Sequence, residues 1–387
     1  MNICATTYRK PRTIAWTGWG QRFRFCVRIG IAFGLQWIST RARGENHLEY
    51  RYEYYGEEGG RMTVGTHSGY FEQQLIDNVT AHGEFVYDAI SGATPTGAPP
   101  VGPSNKVPLT KMTDTRYAGN AGFDIKLGAN TLSPEVAYST ESDYESIGIS
   151  LSDAIELNQK NTTLRLGASH NFDSVDPVTF SKAKDRETTD LLLGVSQLLS
   201  PKTILSADFT YRMENGFLSD PYRLAEFDMF GFAYPEHRPR TRESEIFQVS
   251  LTQFITPLDA SIEGSYRFQH DTYDITSHTF TLWWHQHAGK HLIIEPLFRY
   301  YQQTAASFYA ASFPGIGPDT GQHFSADYRL SEFYSLDMGV QATVNVNDHV
   351  RFVAGYHRYE MHGLDNKTAS SMYPTANIVT AGIQIWF

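Results

Sequence analysis

Two histidines between Trp283 and His287 have the spacing of a metal-binding pair. On a β-strand, His285 and His287 would share one face, so that both imidazoles could bind one ion. The nearest acidic side chain, Glu295, falls on the next predicted strand. Such a sparse set of ligands is more typical of a polar rim, and we expect neither a metal nor another cofactor.

Two further histidines bear on nucleophilic chemistry. Ser169 and His170 are adjacent, so on a strand their side chains point to opposite faces, a poor geometry for a nucleophile and its base. His357 and Tyr359 share one face, but no nucleophile accompanies them. We therefore expect no enzyme, and a hydrolase at the rim of the fold is the least favoured function.

The elements that would position these residues are β-strands. From residue 45 onward, apolar and polar side chains alternate in short runs, a pattern typical of strands with two unlike faces. The 23 Tyr, 24 Phe and 31 Gly also favour strands and tight turns. About sixteen strands are predicted, near residues 46–55, 61–71, 78–90, 116–127, 131–140, 145–157, 162–172, 188–199, 203–213, 244–255, 260–270, 275–287, 291–302, 332–344, 349–360 and 378–387.

The connections between these runs are of two kinds. Six tight turns are predicted at residues 128–130, 158–161, 200–203, 256–259, 288–290 and 345–348. Long connections are predicted near residues 91–115, 173–187, 214–243, 303–331 and 361–377. If the strands run up and down, every tight turn falls at one end and every long loop at the other. This pattern predicts an all-β fold: a transmembrane antiparallel up-and-down β-barrel of about 16 strands, with short periplasmic turns and long external loops.

Aromatic residues at the strand ends agree with a membrane-spanning barrel. Seven tyrosines lie on apolar faces near the long loops, at positions 87, 117, 138, 211, 266, 300 and 356, whereas Trp284 and Phe387 lie at the opposite end. Two such belts are typical of membrane interfaces. A soluble sandwich could also bury tyrosines, but it gives no reason for all long loops to lie at one end.

The polar strand faces would line the lumen. They carry a set of interleaved charges: Glu49, Arg51, Glu53, Glu84, Asp88, Asp124, Lys126, Glu135, Arg165, Asp208, Arg212, Glu263, Arg267, Glu295, Arg299 and Asp337. Charges that line a pore tune its ion selectivity, and we interpret these as candidate selectivity residues. The alternative is that they pair only to hold the wall together.

Two features of the predicted external loops bear on access to the lumen. The Pro- and Gly-rich segment 91–103 should be neither helix nor regular strand, and it either folds inward as a constriction or stays outside as a mobile loop. Acidic residues of several loops could also gather in one vestibule, or simply be solvated. These rim residues are Asp88, Ser91, Glu141, Asp143, Asp173, Asp220 and Asp327.

The first 44 residues differ from the remainder, which we predict to be the barrel domain, 45–387. They hold eight basic and no acidic residues, a short apolar stretch, and Cys4 and Cys26, the chain's two cysteines. This composition predicts a cleaved signal peptide, the alternatives being a misplaced start or an amphipathic N-terminus. Removing eight of the 32 basic residues leaves 24 against 42 acidic, a net charge of −18 that argues against nucleic-acid binding.

Several segments resemble known proteins. The run that ends at Phe387 is similar to the terminal strand of outer-membrane barrels, which the barrel-insertion machinery recognises. Seven longer segments together resemble an uncharacterised outer-membrane family of Gram-negative bacteria, DUF3570, from about Tyr50 to Phe387. They are 87–100, 138–144, 157–163, 168–173, 217–222, 325–330 and 373–382. The resemblance implies a barrel in the bacterial outer membrane and brings no substrate, cofactor or catalytic residue.

Two principal functions follow from these interpretations. The first is a porin-like passive channel for small polar or ionic solutes. The second is a non-conducting barrel scaffold that docks or sheathes a periplasmic or surface partner, with a redox protein as one candidate. We expect contact with outer-membrane lipid and with the insertion machinery, and we leave the oligomeric state open.

Overall fold

The computed structural model describes residues 46–97, 106–176, 182–229 and 231–387. The predicted signal peptide, 1–44, lies outside these residues. Within them, no helix is long and apolar enough to cross a membrane.

Of the eighteen strands in the described residues, sixteen form one closed antiparallel barrel, which confirms the predicted fold class. The other two, β10 and β11, form a separate hairpin inside a long loop. The strands are β1 (His47–Glu57), β2 (Thr63–Ile76), β3 (Val79–Pro95), β4 (Leu109–Leu127), β5 (Asn130–Thr140), β6 (Tyr144–Leu157), β7 (Thr162–Val175), β8 (Lys184–Ser200), β9 (Thr203–Gly216), β10 (Leu224–Phe227), β11 (Phe232–Pro235), β12 (Thr241–Ile255), β13 (Ala260–Asp271), β14 (Thr276–Ala288), β15 (Leu292–Gln303), β16 (Phe333–Asn345), β17 (Val350–Gly363) and β18 (Thr375–Trp386).

The alternation of side chains gives the barrel an apolar outer surface. Large hydrophobic residues stand exposed on the outer faces, among them Leu48, Phe85 and Val136. Tyr117, Tyr138 and Tyr356 are also exposed there. Tyr138 lies near the long-loop end of its strand, whereas Tyr117 and Tyr356 lie near the middle of strands that extend further than the sequence predicted. Exposed apolar side chains on a barrel wall are stable where lipid tails replace water. The outer surface is therefore that of a protein embedded in a membrane.

Pairing of the first and last barrel strands closes the sheet. β1 and β18 pair from His47 opposite Trp386 to Glu57 opposite Ala376. Phe387 extends this pairing, because its N–H and C=O groups each lie 3.1 Å from the matching backbone group of Asn46. An open edge in hydrocarbon would leave a row of unsatisfied backbone groups, so this closure makes the barrel compatible with the membrane.

The connections confirm the predicted asymmetry. Seven short turns lie at one end of the barrel, whereas the other end carries eight connections, including the five long ones. Several turns need left-handed backbone, as at Asn158 with φ 49° and Asp259 with φ 45°. Asn and Asp tolerate this conformation better than most residues, so the turn chemistry was readable from the sequence.

Two details of the external loops correct the prediction. The segment 91–103 was expected to contain no regular strand, but β3 runs through Pro95, which pairs with Leu109 of β4. Pro95 is the last residue of its strand, a position where a missing N–H does little harm. The second correction is the β10–β11 hairpin, which lies inside the segment predicted as loop 214–243.

Candidate permeation path and its external cap

The inner wall carries ion pairs between neighbouring strands. Arg212 of β9 donates two hydrogen bonds to the Asp190 carboxylate of β8, at 2.6 and 2.5 Å. Arg165 of β7 reaches across β8 to Asp208 of β9, with 2.5 Å between Nη2 and Oδ1. Gly194 lies between these last two side chains. A Cβ at this position would overlap Asp208 Oδ1 and stand 3.0 Å from Arg165 Nε, so glycine makes the pair possible.

Nearer the external end, five residues form an alternating row along five consecutive barrel strands, β7, β8, β9, β12 and β13. Arg186 lies 3.7 Å from Asp173 and 2.9 Å from Glu214. Arg242 lies 3.9 Å from Glu214 and 2.5 Å from Asp271. All five residues are buried. We call this set the wall row; its charges are neutralised by neighbours that the strand register places side by side.

The remaining predicted lumen charges are also on inner faces. Arg116 pairs with Asp88 at 2.5 Å, His285 with Glu295 at 2.7 Å, and His357 with Asp337 at 3.3 Å. His82 lies 3.7 Å from Asp124 and 3.4 Å from Glu135. Gln384 donates to Glu49 at 3.1 Å, Arg267 donates to Gln269 at 2.9 Å, and Arg299 stacks on Tyr301. The strands also carry Arg51, Glu53, Glu84, Lys126 and Glu263. A selectivity role for these charges stays a prediction.

Sequence reasoning missed several members of this network. Arg186, Glu214, Arg242 and Asp271 lie one to two residues beyond the predicted strand ends, and Asp190 lay inside a predicted strand without being singled out. The signal was present, since each continues the alternation of its strand at i ± 2. Extending each predicted strand by two residues would have included the four residues that lie beyond the predicted ends.

Two external loops fold together at the mouth of the barrel. We call them the cap: the described part of 217–240, which contains the β10–β11 hairpin, and 304–332. The Leu224 N–H donates to Thr96 O at the end of β3, at 3.1 Å. β3 is separated from β9 by β4 to β8 on one side, and from β12 by β13 to β18, β1 and β2 on the other. A loop that leaves β9, reaches β3 and returns to β12 must therefore cross the mouth.

A buried ionic cluster joins the two cap loops. Its members are Asp220, Arg223, Glu236, Arg238, Asp327 and Arg329. Between the loops, Arg329 Nη2 lies 2.6 Å from Asp220, and Arg238 Nη2 lies 2.8 Å from Asp327. Arg329 and Asp327 also pair within one loop. Three acids and three guanidiniums thus balance.

The charges in this cluster shift the ionisation of its carboxyls. Burial raises the pKa of Glu236, and Arg238 opposes that shift. Burial would also raise the pKa of Asp327, but Arg329 and the other nearby guanidiniums hold it below its ordinary value. Asp327 is therefore ionised at neutral pH and contributes its full charge to the contact between the loops.

Apolar clusters complete the cap. Phe227 of the hairpin stacks on Phe313 of the other loop, with ring centroids 5.5 Å apart, and packs edge-on against Phe324. Tyr328 packs among inner-wall side chains of β1, β17 and β18, including Tyr55 and Tyr359. The cap is thus a folded unit that rests on the inner wall.

The residues considered for catalysis and metal binding have separate partners. His285 contacts Glu295, and His287 lies 3.3 Å from Asp259. His170 Nδ1 is 2.8 Å from Thr189 Oγ1, whereas Ser169 is buried on the opposite face. The structure therefore does not bring these side chains together in one site.

The acidic vestibule predicted at the rim is largely neutralised. Asp88, Asp173, Asp220 and Asp327 each pair with arginine. An acidic group persists elsewhere, where carboxyl oxygens of Asp114, Glu141 and Asp143 lie within 4.8 Å of one another. Burial raises the pKa of Glu141 to about 7; Arg116 opposes the shift, and the neighbouring acids add to it. Among the predicted rim residues, Glu141 and Asp143 thus lie in an acidic group beside the β5–β6 loop.

Comparison with solved structures bears on the fold alone, because the identities are very low, and of the three structures below only CdiB has a TM-score above 0.5. CdiB from Acinetobacter baumannii is similar at a TM-score of 0.51 and 8% identity, over 90% of this chain and 61% of CdiB. OmpT, an outer membrane protein of Vibrio cholerae, has a TM-score of 0.45 and 9% identity, over 90% of this chain and 100% of OmpT. The siderophore receptor PirA from A. baumannii has a TM-score of 0.44 and 10% identity, over 84% of this chain and 54% of PirA. This chain therefore spans about half of that receptor.

Comparison of sequences gives the family. No curated protein matches the chain. The profile of DUF3570, described as a protein of unknown function, matches residues 35–182 and 179–381, which cover most of the chain. The resemblance seen in the sequence is therefore confirmed, and this sixteen-stranded outer-membrane β-barrel belongs to the DUF3570 family.

Proposed function

We propose that the protein is a porin-like passive channel for small polar or ionic solutes. The observation that carries the proposal is the closed wall of sixteen strands with charged inner faces. Barrels of about this strand number enclose an aqueous lumen, whereas barrels of about eight strands are filled by their own side chains. Solutes would pass down their concentration gradient through this lumen.

The lining charges support selectivity by local field. Ion pairs such as Arg212–Asp190 hold opposite charges at fixed places on the wall, and a transverse field of this kind orders ions and dipolar solutes that pass. The excess of acidic over basic residues in the chain favours cations over anions in the lumen.

A specific observation favours the second candidate, the non-conducting scaffold. The hairpin loop crosses the mouth and is tied to β3, and its packing is that of a folded unit. A barrel with a permanent cap would carry no solute and would instead present the cap to a surface partner or its turns to a periplasmic one.

Conductance in a planar lipid bilayer separates the two candidates. Purified full-length protein is added to one side, and single-channel current is recorded in potassium chloride. Discrete current steps with a reversal potential displaced towards cations support the channel. If the correctly folded protein never conducts, and variants with a loosened cap never conduct either, the channel is rejected and the scaffold is favoured.

We further propose that the protein catalyses no hydrolysis. His357, the best candidate base, contacts Asp337 at 3.3 Å, and no nucleophile was recognised beside it in the sequence. Incubation with lipid and peptide substrates should give no turnover. Turnover that disappears in His357→Ala would overturn this proposal.

A further inference from the structure

We propose that the cap is the gate of the channel, and that the ionic cluster between its two loops is the latch. This inference rests on the proposed channel function. The gate is closed when the described part of the hairpin loop 217–240 spans the mouth and is paired with loop 304–332. It opens when the two loops separate and the hairpin leaves β3.

The hairpin bridges nearly opposite parts of the wall. At β3, the Leu224 N–H donates to Thr96 O at 3.1 Å, and Arg223 Nη2 donates to Thr94 Oγ1 at 3.3 Å. At its other side, the hairpin is covalently continuous with β9 and β12. Opening therefore requires both release of the β3 contact and separation from loop 304–332, while the continuity with β9 and β12 keeps the hairpin attached, as a lid requires.

The latch contains two cross-loop ion pairs. Backbone hydrogen bonds join the same loops, among them Phe313 N–H to Glu226 O at 2.9 Å and Phe324 N–H to His237 O at 2.8 Å, and opening breaks these as well. Asp220–Arg329 and Arg238–Asp327 join residues that belong to no common strand pair. Separation of the loops would return both members of each pair to water together, so neither would be left as an uncompensated buried charge. When an ion pair separates into water, hydration of the two charges offsets more of the lost interaction energy than hydration of an apolar contact of similar size does. Ion pairs are therefore suited to a contact that must break and re-form.

The cluster is also incompletely satisfied in the closed state. Arg223 is 1% exposed, yet its Nε and Nη1 atoms make no hydrogen bond among the described residues. Its Nε is 3.6 Å from Asp220 and 4.0 Å from Asp327, too long for good hydrogen bonds. Exposure to water would complete its hydrogen bonding, which lowers the free energy of the open state relative to the closed one.

Contacts with the inner wall determine which of the two loops moves. Tyr328 packs with Tyr55 and Tyr359 of the inner wall, and Gln303 Nε2 donates to the carbonyl oxygens of Arg329 and Ser331 at 3.0 and 2.9 Å. Loop 304–332 is therefore anchored to the wall near β15 and β16. The hairpin loop is the moving part, and Arg329 is the fixed half of the latch.

A reversible cross-link tests the gate. In a background with Cys4→Ser and Cys26→Ser, cysteines replace Thr96 and Leu224, and a short bifunctional methanethiosulfonate joins them. Locking the hairpin to β3 should lower the mean current about tenfold or more, since a gate that cannot open removes the conducting state, and reductant should restore it. The matched control joins Thr63→Cys of β2 to Ser91→Cys of β3, whose hydroxyl oxygens are 2.8 Å apart on neighbouring strands outside the cap, and it should leave the current unchanged.

A second variant weakens the latch. Arg329→Gln should raise the open fraction about tenfold, because Asp220 and Asp327 lose their shared buried partner. Arg358→Gln is the control, since Arg358 pairs with Glu58 at the exposed rim at 2.5 Å and lies outside the cluster. Heat-modifiable mobility on gels verifies that each barrel is folded.

The outcomes separate the gate from the channel. If the wild type conducts and neither the cross-link between hairpin and β3 nor Arg329→Gln changes the current, the gate is rejected and the channel proposal is retained. If folded wild type and folded Arg329→Gln are both silent, the channel itself is rejected and the gate falls with it.

Discussion

The wall row and the ionic cluster of the cap are both built from buried arginines and carboxylates, but the fold positions the two sets of side chains in different ways. In the wall row, Arg186 and Glu214 sit on adjacent strands whose backbone hydrogen bonds set the distance between them. In the cap, Asp220 and Arg329 are 109 residues apart on two loops that share no barrel strand pair. The same chemistry is therefore part of a hydrogen-bonded wall in one place and of a contact between two loops in the other.

The largest effect expected from this comparison is on barrel stability. Asp190→Asn should lower the free energy of unfolding by about 3 kcal/mol, because it leaves Arg212 buried without its anionic partner. Asp327→Asn makes the same chemical change in the cap, where we expect a clearly smaller loss and faster cutting of the loops by added protease. Urea titration in lipid vesicles measures the first quantity. Equal losses for the two variants would contradict the distinction between wall and cap.

The next effect probes how closely the wall charges are packed. Gly194→Ala should cost about 1–3 kcal/mol of unfolding free energy, since the new Cβ displaces Asp208 from Arg165 in a wall that cannot yield. Gly69→Ala on β2 is the control, because a Cβ there meets nothing within 4 Å. The same urea titration applies, and a loss no greater than that of the control would show that the Arg165–Asp208 pair tolerates displacement.

A smaller effect concerns ion selectivity and depends on conduction. Replacing Arg212 and Arg267 by Glu should raise the cation-to-anion permeability ratio at least about twofold, since lining charges set the local concentration of ions. Reversal potentials in a salt gradient measure this ratio. Arg358→Glu at the exposed rim should change it less. An unmoved reversal potential in the double variant would remove these two arginines from the selectivity determinants.

The smallest effect is a pH dependence of the acidic β5–β6 loop. The pKa of Glu141 is raised from 4.5 to about 7 in the folded protein, so between these values the folded state holds a proton that the unfolded state has lost. Stability therefore falls as pH rises through this window and levels off above it. Glu141→Gln should abolish that slope in denaturant midpoints measured from pH 4 to pH 8. A slope that persists in the variant would assign it to another group.

Much of the barrel was readable from the sequence because its determinants are local. Each predicted strand overlaps an observed one, since the side-chain period of two identifies a strand wherever one face is apolar. The tight turns were readable for a similar reason, as at Asp259, where the residue type suits a left-handed backbone. Strand ends were less certain, and Glu214 and Arg242 of the wall row were missed there.

The contacts across the mouth were not readable, because no local pattern states which distant loops will meet. Asp220 and Asp327 were recognised as acidic loop residues, but the arginines that neutralise them were not assigned to them. Such pairs depend on where the closed barrel brings its loop ends, and this follows from the ring order of the strands.

The sequence by itself determined a sixteen-stranded membrane barrel, because alternation, turn residues and loop lengths each act over a few neighbouring residues. Only the tertiary structure decided that the hairpin loop crosses the mouth to β3 and is paired there with a second loop. The physical reason is that closing the ring places strands that are far apart in the chain around one opening, where their loops must pack against one another.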